Sequence, residues 1–334
     1  MAVSAFTVGL DGPVLSDDEV AFLADARPWG VILFARNIVT PLQVRALTGA
    51  IRDILGADTP ILIDQEGGRV QRMFPPHWRQ WRPPPDHVAA SGGSARAMYL
   101  RGLLIGHELQ GLGIDVNCAP TCDVATPDTH PFLRNRCFGD TPEIVAEMAR
   151  AMANGMADAG VLAVMKHLPG HGRGRVDSHF NLPVSDADWD SLNTIDFAPF
   201  RALNDLPMGM TAHMLFPAID DQPVTHSAIV IERAIRGAIG FDGLLMSDDI
   251  GMQALGGTVV ERALRAQAAG CDLILHCNGD LAERRALADA LPPMGAEAER
   301  RARAAFACRR APLPIDILAI EGELDSLMGG AVYG

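Results

Sequence analysis

The chain has 334 residues, 48% of them hydrophobic and 21% charged, which is ample for a large buried core. A formal net charge of −13 argues against a surface for nucleic acid or for an anionic membrane. No apolar run is long enough to span a bilayer, and the start, MAVSAFTVGLDG, lacks a basic segment followed by an apolar one. The expectation is a cytoplasmic protein without a signal peptide.

Continuous apolar runs at residues 6–10, 30–34, 61–64, 114–118, 162–166, 209–213, 244–248 and 272–276 predict strands covered on both faces, as in a parallel sheet. Between them, residues 40–55, 95–112, 142–159 and 259–269 carry apolar side chains at three- and four-residue spacing, the pattern of amphipathic helices. This alternation predicts an α/β fold, a single (β/α)8 TIM-type barrel. A doubly wound open sheet is the alternative, but no GxGxxG follows the first run. Residues 75–85, PPHWRQWRPPP, cannot be regular helix and read as a loop over the barrel mouth, whose tryptophans either stack on a ligand or anchor the loop. One catalytic domain is expected over 1–334, with 312–334 as a C-terminal tail or packing segment.

Cys118, Cys122, Cys137, Cys271, Cys277 and Cys308 form no CxxC pair, and buried free thiols in a reducing compartment are the expectation. The spacing of Cys118 and Cys122 allows zinc, but no second pair lies at finger-like distance. No metal and no cofactor are expected.

Titratable residues close several of the eight runs, among them Asp64; Lys166 with His167; His213; and Asp248 with Asp249. An unpaired buried charge is expensive, so packing alone does not explain the pattern. A barrel enzyme builds its site where strands end. For Asp64 or His213 taken singly, a satisfied structural hydrogen bond is as good a reading as a place in the site. Residues 166–180, KHLPGHGRGRVDSHF, concentrate this chemistry. Two donors end a strand, and a glycine-rich loop then brings Asp177 and His179 within two residues of each other. A carboxylate beside an imidazole on such a loop suits proton transfer. The plainer reading is a strand cap followed by a solvated turn.

The segments GVILFARN (30–37), IDQEGGRVQR (63–72), NRCFGDTP (135–142), KHLPGHG (166–172), DSH (177–179) and SDDIGM (247–252) occur together and in order. With them the chain resembles the single-domain bacterial β-N-acetylglucosaminidases of glycoside hydrolase family three, which recycle cell-wall fragments. It departs at Leu168, where the family usually has Phe, at the two loop arginines Arg173 and Arg175, and at Asn135 before Arg136, where the family usually has Asp. The resemblance implies that Asp248 is a nucleophile, with Asp249 structural, and that His179 is a general acid/base oriented by Asp177. It implies that Asp64, Arg72, Arg136, Lys166 and His167 bind the sugar. The implied substrate is a small saccharide or muropeptide, GlcNAc linked to anhydro-N-acetylmuramic acid with or without peptide.

Chemistry is compatible with these roles. A retaining glycosidase needs a nucleophile and a proton donor on opposite sides of the anomeric carbon, and histidine titrates near neutrality without strong burial. A histidine donor also does not repel phosphate, so a β-N-acetylglucosaminide phosphorylase is the alternative activity, with Arg173 and Arg175 near the dyad. A metal-dependent hydrolase using His167, His171 and His179 lacks a helical ligand pair. A non-catalytic sugar-binding barrel would be expected to have lost Asp248, Asp177 or His179.

Overall fold

The computed structural model describes residues 4–178 and 181–333. Eight parallel strands follow the chain: β1 Ser4–Gly9, β2 Pro28–Leu33, β3 Ile61–Ile63, β4 Val116–Asn117, β5 Leu162–Leu168, β6 Met208–Thr211, β7 Leu244–Met246 and β8 Ile274–His276. Each expected run overlaps one. Neighbours in sequence are neighbours in the sheet, and β8 returns to pair with β1. The seam between β7 and β8 closes through the Met246–Leu273 bridge and the hydrogen bonds Ser247 N to Leu273 O (2.9 Å) and Ile250 N to Leu275 O (3.0 Å). The ring is therefore a TIM-type barrel, not an open doubly wound sheet.

Alternation along each strand sorts its side chains. Val31, Leu33, Ile61, Ile63, Leu245 and Ile274 join the layer shared with the helices. Ile32, Leu62, Val116, Leu162, Val164, Met208, Met210, Leu244, Met246 and Leu275 form a separate apolar cluster inside the ring. The interior is a packed plug, and a cavity opens beyond the strand C-termini.

Helices Pro41–Leu55, Ala95–Gln110, Pro142–Asp158 and Val259–Ala269 fall where the periodicity puts them. Thr40 caps the first with Pro41 at its start, and Thr258 with Glu261 forms a capping box on the last. Helices 95–110 and 142–158 meet at glycines. A Cβ on Gly102 would sit 2.3 Å from the Met152 carbonyl oxygen, and one on Gly155 2.1 Å from that of Tyr99.

Residues 75–83 are loop, whereas Pro84 and Pro85 begin a short helix, Pro84–Ala90, where a missing N–H costs nothing. Trp78 and Trp81 are buried, so they anchor this loop. Trp81 pairs with Tyr333, and helix Ile317–Leu327 lies against helix 95–110, burying Leu324. Five cysteines are buried free thiols, and Cys308 is exposed. No helix among the described residues is long and apolar enough to cross a membrane.

Candidate active site

Parity along the strands builds the pocket. The inward rows continue one step past the apolar plug, and that step holds Phe34 after β2, Asp64 after β3, Lys166 in β5, Asp248 after β7 and Cys277 after β8. All five line a cavity of about 310 Å3 at the C-terminal face, together with Arg69, Arg72, Phe132, Arg136, His167, Ser178 and Asn278. His167 is out of phase with Lys166. The pairing of β5 with β6 skips it, from Lys166–Met210 to Leu168–Thr211, and this bulge aims its ring into the pocket.

Lys166, Arg72 and Arg136 are locked to carboxylates. Lys166 Nζ donates to Asp64 Oδ1 at 2.9 Å and to Glu66 Oε1 at 2.6 Å. Arg72 reaches Asp64 Oδ2 at 3.2 Å. Arg136 grips Glu66 with two bonds, of 3.0 and 2.7 Å, and its Nη2 lies 3.2 Å from His167 Nε2. Asp123 Oδ2 holds His167 Nδ1 at 2.7 Å and fixes which ring nitrogen faces the pocket. Burial alone would raise the carboxyls of Asp64 and Glu66. Lys166 with Arg72 at Asp64, and Arg136 with Lys166 at Glu66, outweigh it and keep both well ionised. Burial would likewise lower the Lys166 ammonium, yet Asp64 and Glu66 hold it above the ordinary lysine value.

Asp64, Arg72, Arg136, Lys166 and His167 thus line one pocket. Glu66 and Asp123, for which the sequence suggested no role, join them. Glu66 stands inside the IDQEGGRVQR segment, and its acid between glycine and Asp64 was the available signal. Asp123 lies on an irregular stretch after β4, where nothing in the sequence marks it.

Asp248 faces this network from β7. Burial works against its charge, but His213, His167, the Asp249 backbone N–H (2.8 Å) and Lys166 hold its carboxyl down at about 2. Asp249 turns the other way. Its Oδ1 accepts from the backbone N–H groups of Gly251 (2.9 Å) and Cys277 (3.0 Å), and burial holds its carboxyl above the ordinary value. His213 is buried, with Nδ1 on Thr225 Oγ1 (2.8 Å) and Nε2 on the Asp249 carbonyl oxygen (3.0 Å), so it braces the turn that carries Asp248.

On the loop after β5, Ser178 reaches the pocket lining, and Asp177 lies close enough to act electrostatically on Arg69. His179 lies outside the described residues. Arg173 is bound to Asp196 (2.8 Å) and Ser191 (2.9 Å), and exposed Arg175 pairs with Asp128 (3.4 Å). Neither arginine lines the pocket.

Asp123, His167 and His171 place one ligand atom each within 4.8 Å of one another, and among the described residues neither ring nitrogen of buried His171 has a hydrogen-bond partner. The set has donors suited to a divalent cation. Asp123 already accepts from His167 and from the His171 N–H (2.7 Å), so an ion would have to displace the Asp123–His167 bond.

An eight-stranded barrel with an ionised acid facing a preorganised polar cradle at its C-terminal mouth has the architecture of a glycoside hydrolase, and comparison with known proteins specifies which. Residues 7–306 match the model of the glycosyl hydrolase family 3 N terminal domain. A β-hexosaminidase of Alkalilimnicola ehrlichii is 40% identical over 287 residues, 83% of this chain and 82% of that protein. One of Methylococcus capsulatus is 38% identical over 94% of each chain. The crystal structure of NagZ from Neisseria gonorrhoeae superposes with a TM-score of 0.87 at 28% identity, covering 100% of this chain and 99% of that one. The same protein has been solved with N-trifluoroacetyl-D-glucosamine, at 28% identity and TM-score 0.87, over 99% of each chain. The chain belongs to glycosyl hydrolase family 3. It is a glycoside hydrolase of the β-hexosaminidase type.

Proposed function

We propose that the protein is a retaining exo-β-N-acetylglucosaminidase that removes terminal GlcNAc from peptidoglycan fragments, GlcNAc–anhydro-N-acetylmuramic acid with or without peptide, in the cytoplasm. The observation that carries the reading is Asp248, an acid held ionised at about 2, opposite a cradle already locked in place. A nucleophile must be charged at working pH, and Asp248 is charged throughout the neutral range. Asp248 attacks the anomeric carbon and forms a glycosyl ester while His179, oriented by Asp177, protonates the leaving oxygen. The same histidine then activates the water that releases the sugar. Asp64, Arg72, Arg136, Lys166 and His167 engage the sugar hydroxyls, and Glu66 and Asp123 fix three of these donors. Because the cradle needs no reordering, its interactions strengthen as charge develops on the sugar ring. The analogue bound by the gonococcal relative supports a GlcNAc-sized glycone.

Hydrolysis is favoured over phosphorolysis because Arg173 and Arg175 are committed to Asp196 and Asp128, away from the pocket. The test is covalent trapping. A 5-fluoro glycosyl fluoride of GlcNAc is expected to label a peptide at Asp248, and Asp249→Asn is expected to label as well. A label on Asp249, or full turnover by Asp248→Ala, refutes the assignment. Adding phosphate should yield free GlcNAc and no sugar phosphate.

A further inference from the structure

Arg101 projects from helix Ala95–Gln110 and is 0% exposed, one of the largest fully buried side chains of the barrel. It is not part of the pocket lining. Among the described residues no acidic side chain pairs with it, and its Nε and Nη1 are buried without a hydrogen-bond partner. A buried cation with no carboxylate beside it is costly, so packing alone does not account for it.

The remaining nitrogen ties two loops together. Nη2 donates to the Glu66 carbonyl oxygen at 2.7 Å and to the Arg82 carbonyl oxygen at 2.9 Å, joining the segment after β3 to the tryptophan loop. The guanidinium carbon lies 5.4 Å from the centre of the Trp81 ring, and the Trp81 carbonyl oxygen accepts from the Gly68 N–H at 2.9 Å. Gly67 lets the chain come this close. Its φ is +100°, and a Cβ there would sit 1.9 Å from Arg101 Nη2. The Glu66 backbone is thus fixed on both sides, its N–H on the Val70 carbonyl oxygen (2.9 Å) and its own carbonyl oxygen on Arg101. From that backbone the Glu66 carboxylate reaches Lys166 at 2.6 Å and Arg136 at 2.7 and 3.0 Å. Charge-assisted bonds this short tolerate little displacement of the chain that carries them.

On the glycosidase reading, we propose that Arg101 is a positioning residue for the reaction: it sets the Glu66 backbone and, through Glu66, the placement of Lys166 and Arg136 in the pocket. It touches no substrate. Its unpartnered N–H groups are the cost of a support built for the site rather than for the core.

The experiment is a double-mutant cycle on an aryl N-acetylglucosaminide, with kcat expressed per folded molecule. Arg101→Gln, neutral and shorter, should lower kcat by about ten- to a hundredfold, the scale of a small misplacement of catalytic groups. In a Glu66→Gln background the same change should alter kcat by no more than about twofold, because the contact it supports is already gone. Arg101→Lys, which keeps the charge and a donor, should lose less than Arg101→Gln. A folded Arg101→Gln with kcat within about twofold of wild type overturns the proposal, whatever its melting temperature, since that is the mark of a structural residue. A loss repeated in full in the Glu66→Gln background overturns it too, because Arg101 then acts by another route. Should Arg101→Gln not fold, Arg101→Lys takes its place in the cycle, and if neither folds Arg101 is structural and the proposal is overturned. Wild type inert on the substrate defeats the glycosidase reading, and the proposal falls with it. Wild-type turnover with additive losses defeats the proposal alone.

Discussion

Replacing Glu66 with Gln probes the cradle at its centre. Glu66 is 2% exposed and takes three N–H contacts, one from Lys166 at 2.6 Å and two from Arg136 at 2.7 and 3.0 Å. Glutamine keeps the shape but turns one donor toward cations that need an acceptor. Lys166 retains Asp64, and Arg136 is left beside the His167 ring. Breaking a buried pair costs about 3–5 kcal/mol, and the surviving carbonyl favours the lower end. At about 2 °C per kcal/mol for a large domain, the melting temperature should drop by about 6 °C. Displacing one preorganised donor should lower kcat on an aryl N-acetylglucosaminide by about 10²–10³-fold. The pH dependence has a definite sign. Burial pushes the Glu66 carboxyl up, but Arg136 and Lys166 outweigh it and hold it far below the ordinary value of 4.5. Its contribution is therefore complete above that value and fades as pH falls toward its native pKa. The gap in melting temperature between wild type and Glu66→Gln should narrow below about pH 4.5, followed by circular dichroism. A variant that melts within 2 °C of wild type at pH 7, with kcat within threefold, refutes the argument.

Two further outcomes test the chemistry. His179→Ala should lose about 10²–10⁴-fold in kcat on a disaccharide, but give a burst of phenol followed by slow turnover on an aryl glycoside with an acidic phenol. Equal losses without a burst rule the histidine out as acid/base, and Asp177→Ala should show a milder form of the same pattern. Dialysis against a strong chelator should leave kcat unchanged. Loss of activity restored by a divalent cation would instead place an ion at Asp123, His167 and His171.

Much of the architecture could be read from periodicity, because buried parallel strands are continuous apolar runs and surface helices are not. The strand-end rule led to Asp64, Lys166 and Asp248 because each sits where an inward apolar row meets the open mouth, whereas His167 reaches the pocket through the bulge in β5. Local signals went unused as well. Ser16 and Glu19 form a capping box at the start of helix Asp17–Ala26, in a stretch given no element. The π-helical turns at Ile231–Ala238 carry no such signature. Asp123 carried no local signal and Glu66 only its place in a motif, for a deeper reason. The role of a buried acid shows in its partners, and those of Glu66 lie 70 and 100 positions away at Arg136 and Lys166. His213 ends its strand as the catalytic candidates do, yet parity turns it outward to Thr225. Spacing along the chain, without the direction of the pleat, left its two readings equal.

Asp249 spans the place where the barrel closes. It follows β7, and its carboxylate takes the backbone N–H of Cys277, just past β8. The last strand must therefore arrive before the turn bearing Asp248 gains this anchor. β8 in turn pairs with β1, the most sequence-distant contact in the sheet and one that is slow to form. A chain still emerging from the ribosome, or trapped with seven strands paired, would carry the proposed nucleophile without its brace. Gain of activity during refolding should thus lag behind the formation of secondary structure, so that hydrolytic competence itself reports the closing of the ring.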